Sequence, residues 1–390
     1  MATITVPGSP PPVMTAPGLS TRLLSLDLLR GATIAGMILV NNAGDEQAAY
    51  WPLQHAHWNG WTPTDLVFPF FLFMVGVSMA FSLASRMARG ESRQKLINHI
   101  VWRGLILFAI GVGLNGFPYH ALASWRIYGV LQRIAICYVV CALLALYTSK
   151  RSQWAIIVSC LIGYWLIMRY VPVPGFGVPT RDMPLLDPDR NLVAWLDRLL
   201  FPGRLYEITR DPEGVISTIP AVATCLLGLM TGHWLRSERT QRAKAAGMLV
   251  LGVVGIIAGE IANHWFPINK KLWTSSFVLL TAGVALVCLA LCYWLLDIKQ
   301  WRNWAKPFLV FGSNAIAAYV FAEIGAHLLF RLRVRLADGT AATWQSVIYE
   351  RVFAPLGSPA NASLLYALVY VGICWVAMWV LYRKRIFLKI

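Results

Sequence analysis

Long apolar segments alternate with short polar connections along most of this chain. Crossing a hydrocarbon layer of about 30 Å takes roughly 20 helical residues, and ten segments have about that length. They occupy residues 26–44, 64–85, 101–116, 127–148, 153–171, 214–235, 245–263, 274–296, 305–330 and 362–382. The pattern predicts an all-α polytopic membrane protein of about ten transmembrane helices.

Two stretches depart from this pattern. Residues 1–20 contain five prolines and no apolar run, which predicts a disordered tail. Residues 172–213 are polar and rich in Pro, Gly and Asp, which predicts the longest loop. The remaining chain, residues 21–390, is interpreted as a single transmembrane domain.

Composition and charge support a membrane protein and give it an orientation. The chain is 57% hydrophobic and only 13% charged, whereas soluble domains average about 25% charged residues. A net charge of +16 would suggest nucleic acid binding in a soluble protein. With the N-terminus inside, however, the inner connections hold 19 of the 34 Lys and Arg residues and the outer ones 12. By the positive-inside rule, both termini are predicted to be cytoplasmic, and 172–213 periplasmic, with membrane lipid rather than nucleic acid as the partner.

The seven cysteines all lie in apolar segments and form no C-x-x-C motif. They are interpreted as small core residues, so neither disulfides nor metal is predicted. His55 and His57 are a poor zinc template, because a third ligand would have to come from distant Asp45 or His120.

Charged residues inside the predicted spans are candidates for function, because charge at a bilayer centre is costly. Asp27 and Arg30 are three residues apart in the first span, and Arg133 follows Gln132 in the fourth. For the first pair, an ion pair at the inner membrane boundary is an equally good interpretation.

The densest polar cluster lies in the loop between the first two spans. His55, His57, Trp58, Trp61 and Asp65 fall within eleven residues. A neutral imidazole can remove a proton or accept an acyl group, with a carboxylate orienting it. The alternative is a belt of aromatic residues at the membrane interface with incidental polar neighbours.

Six groups of motifs resemble the heparan-α-glucosaminide N-acetyltransferase family. They lie in the family's order along residues 25–320: SLDLLRG at 25–31 with LVN at 39–41, HAHWNG at 55–60 running into DLVFPFFLFMVG at 65–76, RIYGVLQR at 126–133, DPEG at 211–214, PINKKLWTS at 267–275 and GSN at 312–314. Each motif alone is modest, but six in register make a specific resemblance.

The resemblance implies a multi-pass enzyme that takes acetyl from cytosolic acetyl-CoA and delivers it to an amino sugar across the membrane. It implies that His55 is the active-site histidine, with Asn41 close to it. His57 occupies a variable position, and Gln54 differs from the lysosomal form. The chain lacks room for the luminal domain of the longer members, so it resembles a shorter, bacterial-type member.

The predicted site follows from the motifs and the buried charges. The predicted catalytic residues are His55, Asn41 and Asp65. The predicted acetyl-CoA-binding residues are Arg30, Gln132, Arg133, Lys270 and Asn314. The predicted acceptor-binding residues are His57, Trp58, Asn59 and Glu213. Direct transfer and an acetyl-histidine intermediate both use His55, and the sequence does not separate them.

The sequence therefore predicts a transmembrane N-acetyltransferase of the bacterial inner membrane that acts on a glucosamine-type sugar. A homodimer is the predicted oligomer. The alternative is a transporter of an amino sugar or its acetylated product, in which the buried charges bind the cargo. The absence of a detectable repeat or of a helix pair broken by Gly or Pro disfavours that alternative.

Overall fold

The computed structural model describes residues 23–118, 124–336 and 339–388; the predicted tail at 1–20 and His120 lie outside them. The described chain is almost entirely helical, as predicted. Its helices are α1 (Leu24–Asn41), α2 (Val67–Ala88), α3 (Arg93–Gly116), α4 (Val130–Tyr147), α5 (Lys150–Tyr170), α6 (Leu192–Leu200), α7 (Thr218–Leu235), α8 (Gln241–Asn263), α9 (Ser275–Tyr293), α10 (Lys306–Ser313), α11 (Ala315–Arg331), α12 (Trp344–Ile348) and α13 (Pro359–Arg383). A short antiparallel hairpin pairs β1 (Arg333–Arg335) with β2 (Ala341–Thr343).

Nine helices in the described ranges are long and apolar enough to cross a membrane, and they match nine of the ten predicted segments. The tenth predicted segment, 305–330, corresponds to two apolar helices that pass the same length and composition test only as a pair. There α10 and α11 meet at a bend of 72°, because the backbone of Asn314 leaves the helical conformation between them. Both halves are apolar, so hydropathy did not reveal the break. The sequence predicts no helix pair broken by Gly or Pro, and this break lies at an asparagine.

Helix starts follow local capping chemistry. Side-chain oxygens of Ser92, Ser149 and Thr240 accept a backbone N–H in the first turns of α3, α5 and α8. Before α2, the 3-10 turn Pro63–Leu66 is closed by a capping box between Thr62 and Asp65. Asp65 is therefore fixed at the start of α2 by the same bonds that begin the helix.

Glycines allow the central helices to approach closely. A Cβ on Gly228 of α7 would lie 1.9 Å from the carbonyl oxygen of Phe73 in α2. A Cβ on Gly312 of α10 would lie 2.0 Å from the carbonyl oxygen of Asp27 in α1. Small residues at such crossings let two backbones pack without a side chain between them. Helices α1, α2, α7 and α10 therefore form close pairs inside the bundle, while α5, α8 and α13 leave many apolar side chains exposed.

The segment predicted as the longest loop is a folded cap that includes α6. Leu186 and Val193 of this segment pack with Tyr164 of α5 and with Phe266 and Leu272. Loops 42–66, 171–217 and 264–274 thus lie together at one end of the bundle, which is called the His55 end below. The other end, where α1 begins and α13 finishes, is called the opposite end.

Candidate active site

The loop that carries His55 is held by its own side chains. The Gln54 side-chain amide donates to the carbonyl of Ala49 at 2.7 Å, and the Thr62 hydroxyl donates to the carbonyl of Gln54 at 2.6 Å. The Thr64 hydroxyl reaches the carbonyl of Pro52 at 3.0 Å. These bonds fix the backbone on both sides of His55 without regular secondary structure.

His55 forms a hydrogen-bonded pair with Asp65, as the sequence predicted from their proximity. Nδ1 of His55 lies 2.7 Å from Oδ1 of Asp65, whose side chain is 1% exposed. The second carboxylate oxygen accepts the backbone N–H groups of Ala56 at 3.1 Å and Thr62 at 3.0 Å. Because a carboxylate only accepts, Nδ1 carries the proton and Nε2 keeps its lone pair. The half-exposed imidazole is therefore arranged as a proton acceptor.

Lys270, predicted to bind the cofactor, lies beside this histidine–carboxylate pair. Its Nζ is 3.0 Å from Nδ1 and 3.4 Å from Nε2 of His55, and 3.3 Å from Oδ1 of Asp65. Burial lowers the pKa of Lys270, with the negative charge of Asp65 opposing that effect. The structure thus brings together two of the predicted catalytic residues and one residue that was predicted to bind the cofactor.

Three predicted acceptor-binding residues lie beside this group. The Trp58 indole N–H donates to the carbonyl of Leu186 at 2.7 Å, and the guanidinium of Arg210 lies 4.9 Å from its ring centre. The Asn59 amide oxygen accepts from Asn269 at 3.3 Å. Trp58 and Asn59 therefore join the His55 loop to its neighbours, while His57 is exposed.

Glu213, the fourth predicted acceptor-binding residue, is already paired. Arg126 binds both carboxylate oxygens of Asp211, at 2.8 and 2.6 Å, and Oε2 of Glu213 at 2.5 Å. Burial works against the charge of Arg126, but these two carboxylates together raise its pKa. Burial likewise opposes the ionisation of Asp211, yet Arg126 holds the pKa of that carboxyl below its usual value. The motifs at 126–133 and 211–214 thus meet through this ion triplet.

Among the described residues, Asn41 and three residues predicted to bind the cofactor share no hydrogen bond or ion pair with His55. Asn41 is the exposed last residue of α1. Arg133 is fully buried and donates to Ser217 and to the carbonyl of Gly214. Gln132 donates to the carbonyl of Ile127 at 2.9 Å, and Asn314 bonds the backbone of residues 386 and 388. These bonds use Nη2 of Arg133, while its buried Nε and Nη1 have no hydrogen-bond partner in the described structure. The roles of these residues in cofactor binding stay predictions.

A basic cavity of about 350 Å³ lies between α1, α2, α3, α4 and α11. Its charged or ionisable lining groups are Arg30, Arg86, His99 and Arg103, and no Asp or Glu stands among the described lining residues. Arg30 donates to Ser78 at 2.8 Å and pairs with Asp27 at 3.0 Å. Of the residues predicted to bind the cofactor, Arg30 lines this cavity, whereas Gln132, Arg133, Lys270 and Asn314 do not.

The cavity runs along α2 toward His55. Its α2 lining extends from Phe71 to Arg86, about 22 Å of helix at 1.5 Å per residue. Phe71 follows Asp65 by six residues, which is about 9 Å along the same axis. Arg86, His99 and Arg103 were not predicted as site residues. Arg86 and Arg103 contribute to the predicted orientation through the Lys and Arg count of the connection between α2 and α3, and His99 carries no such signal.

These features define a polytopic all-α membrane protein with a histidine–carboxylate pair at one end and a basic cavity reaching toward it. Residues 22–260 match the family model described as "Heparan-alpha-glucosaminide N-acetyltransferase, catalytic". The chain belongs to this family, as the motifs indicated.

Two curated relatives carry the name heparan-alpha-glucosaminide N-acetyltransferase. The mouse protein is 32% identical over 427 aligned positions, and the human protein is 30% identical over 428. Both alignments cover 95% of this chain but only 61% and 60% of the relatives. The chain therefore spans about three fifths of their length.

Proposed function

We propose that this protein is a transmembrane N-acetyltransferase. It takes acetyl from acetyl-CoA bound at the opposite, cytoplasmic end and transfers it to the amino group of a glucosamine-type sugar at the His55 end. The observation that carries the proposal is the arrangement along α2, where the His55–Asp65 pair stands at one end and the basic cavity follows the same helix. The names of the relatives support the reaction type and the sugar class.

The cavity has the chemistry that acetyl-CoA requires. Phosphates bind Arg side chains through charge-assisted hydrogen bonds, and Arg30, Arg86, His99 and Arg103 supply the cationic or ionisable groups. The other walls include Met74, and most of the lining is apolar, which suits the long thioester-bearing arm. The phosphates would lie toward the opposite end, so that the arm carries the acetyl group along α2 toward His55.

The proposed reaction uses His55 as a base. Nε2 removes a proton from the ammonium of the acceptor, and the amine nitrogen attacks the thioester carbonyl carbon. The C–S bond then breaks, the attacking nitrogen loses its second proton as the amide forms, and that proton ends on the departing thiolate, so CoA leaves as a thiol while the proton held by His55 is released to solvent. Asn41 is proposed to hold the thioester carbonyl or the imidazole. An acetyl-histidine intermediate uses the same atoms in two steps and stays an alternative.

The proposal includes a location and an orientation. The membrane is the bacterial inner membrane, with both termini cytoplasmic and the 172–213 segment periplasmic. The greater number of basic residues near the opposite end supports this orientation. A homodimer stays a prediction from the sequence.

CoA release by the purified protein tests the reaction. With acetyl-CoA and glucosamine, wild type is expected to release CoA, and His55→Ala is expected to release none while remaining folded. His264→Ala is the matched control, because His264 is an exposed histidine at the end of α8. Equal release by wild type and His55→Ala would contradict the role of the histidine.

One observation favours the transporter. The bent pair α10 and α11 is a broken membrane segment, a feature that many transporters use at their binding site. In liposomes, uptake of glucosamine without consumption of acetyl-CoA would identify a transporter. Consumption of acetyl-CoA that depends on glucosamine would identify the transferase.

A further inference from the structure

We propose that Lys270 is a positioning residue whose positive charge opposes the gain of a proton by the His55 imidazole and so offsets the opposite effect of Asp65. The proposal rests on the proposed function, because it assigns a task to a residue beside the reacting group. The sequence predicts a different role for Lys270, in cofactor binding, but Lys270 does not line the basic cavity.

The position of the ammonium shows how it acts. The Lys270 Nζ is nearly equidistant from both ring nitrogens of His55, at 3.0 and 3.4 Å. The Nδ1 proton is already donated to Asp65 at 2.7 Å, so Lys270 cannot donate to that nitrogen. Its acceptor is Oδ1 of Asp65 at 3.3 Å. Lys270 is therefore a positive charge beside the ring that shares the carboxylate with it.

Two opposite charges act directly on His55. The carboxylate of Asp65 stabilises an imidazolium, and the ammonium of Lys270 destabilises one at a similar distance. His57, on the same loop, is exposed, and Lys271 and Glu213 act on Lys270 from further away. The two charges nearest to the imidazole therefore have opposite signs, and removing Lys270 leaves only the carboxylate beside the ring.

The loop that carries Lys270 is built to keep it there. The Asn269 side chain donates to the carbonyl of Trp58 at 3.0 Å, and the N–H of Gly60 donates to the carbonyl of Ile268 at 2.8 Å. The neighbouring Lys271 turns away to bind Glu207 at 2.8 Å. These contacts join the lysine loop directly to the histidine loop, so the backbone that carries Lys270 is held beside His55.

The adjacent lysines provide a matched experiment. The pH dependence of kcat is measured for wild type, Lys270→Met, Lys270→Gln, Lys270→Arg and Lys271→Met with one acceptor, so that titration of the acceptor amine is common to all. We expect the acidic limb to move upward by about one pH unit in Lys270→Met and Lys270→Gln. The acidic limb is expected to stay at its wild-type pH in Lys270→Arg, which retains the positive charge. It is also expected to stay there in Lys271→Met, because Lys271 binds Glu207 rather than the histidine.

An unchanged acidic limb in both neutral variants would overturn the proposal. A uniform loss of kcat at every pH, with no displacement of the limb, would do the same, because it would mean that Lys270 stabilises the transition state or the fold instead. An acidic limb at the wild-type pH in Lys270→Arg, but displaced in the neutral variants, is not expected if Lys270 has only a structural role.

A second readout does not need turnover. Diethyl pyrocarbonate modifies neutral imidazole, and mass spectrometry of the peptide that contains His55, in a His57→Gln background, follows its modification against pH. The pH at which modification of His55 is half-maximal is expected to rise in Lys270→Gln and to keep its wild-type value in Lys271→Met. An inactive wild-type protein would refute the proposed function alone. Equal modification midpoints in wild type and Lys270→Gln would refute the role of Lys270 alone.

Discussion

Replacing Asp65 with Asn tests the histidine–carboxylate pair most closely, because the change keeps the shape and removes one acceptor. The carboxylate accepts His55 on Oδ1 and the N–H groups of Ala56 and Thr62 on Oδ2. An amide has only one oxygen. The backbone donors of Ala56 and Thr62 are fixed in the chain, whereas His55 and Lys270, which share Oδ1, are side chains that can move. The oxygen is therefore expected to face Ala56 and Thr62, and the NH₂ group to face His55.

That orientation of the amide favours the other tautomer of the His55 imidazole. Nδ1 must then accept from the Asn side chain, and the ring proton moves to Nε2, the atom that has to take the proton of the acceptor. General-base catalysis contributes about 10²- to 10⁴-fold, and kcat is expected to fall by that amount. Loss of the charge-assisted bond to His55 is expected to cost about 1.5–3 kcal/mol of stability.

The assay is CoA release under saturating substrates, together with a thermal melt. Asp187→Asn is the matched control, since Asp187 pairs with Arg190 in the 172–213 segment and makes no contact with His55. In a His55→Ala background, Asp65→Asn is expected to cause no further loss, because the two residues act as one unit. Retention of more than about a third of wild-type kcat by a folded Asp65→Asn protein would refute this reasoning.

Three further predictions concern the cavity, the helix packing and pH. Arg103→Gln is expected to raise the KM for acetyl-CoA about tenfold or more, with kcat nearly unchanged, because one charge-assisted phosphate bond is lost. Arg93→Gln changes an exposed arginine at the start of the same helix and is expected to leave this KM unchanged. Gly228→Ala is expected to lower Tm strongly, because its methyl group would meet the Phe73 carbonyl, whereas Gly36→Ala meets nothing within 4 Å. Burial raises the pKa of Asp197 to about 7, against a backbone hydrogen bond that lowers it. The stability linked to this group is present below about pH 4 and is lost as pH rises through 7, so Asp197→Asn is expected to raise Tm at pH 8 by a few degrees and to change it little at pH 4.

Each of these predictions has an outcome that contradicts it. Equal KM values for the two arginine variants would remove Arg103 from the cofactor site. A Tm for Gly228→Ala that matches Gly36→Ala would mean that α2 and α7 lie further apart than described. The same Tm difference for Asp197→Asn at pH 4 and pH 8 would show that Asp197 does not titrate between them.

The sequence predicted the helices well because their signal is local. Crossing a membrane requires a continuous apolar run, and nine runs correspond to nine helices in the described parts of the chain. The bend at Asn314 was missed because its cause is tertiary. The Asn314 side chain bonds residues 386 and 388, which lie more than seventy positions later, and the hydropathy around it is uninterrupted.

The site was predicted where its residues are neighbours in the chain. His55 and Asp65 are ten residues apart, and their pairing followed from that proximity. Lys270 reaches them across 215 positions, so its place at the histidine was not visible in the spacing. Arg133 was selected because it is a charge inside a span, yet its guanidinium caps the backbone at Gly214. Burial alone therefore does not assign Arg133 to a structural or a ligand-binding role, and its role in cofactor binding stays a prediction.

The most direct test of the central claim is transfer across a sealed membrane. The protein is reconstituted in liposomes with its orientation determined by protease access, glucosamine is placed on the side of His55, and acetyl-CoA is added only to the side of Arg86. We predict that acetylated glucosamine accumulates in the glucosamine compartment with wild type and not with His55→Ala. Product formation only when both substrates share one compartment would contradict the account.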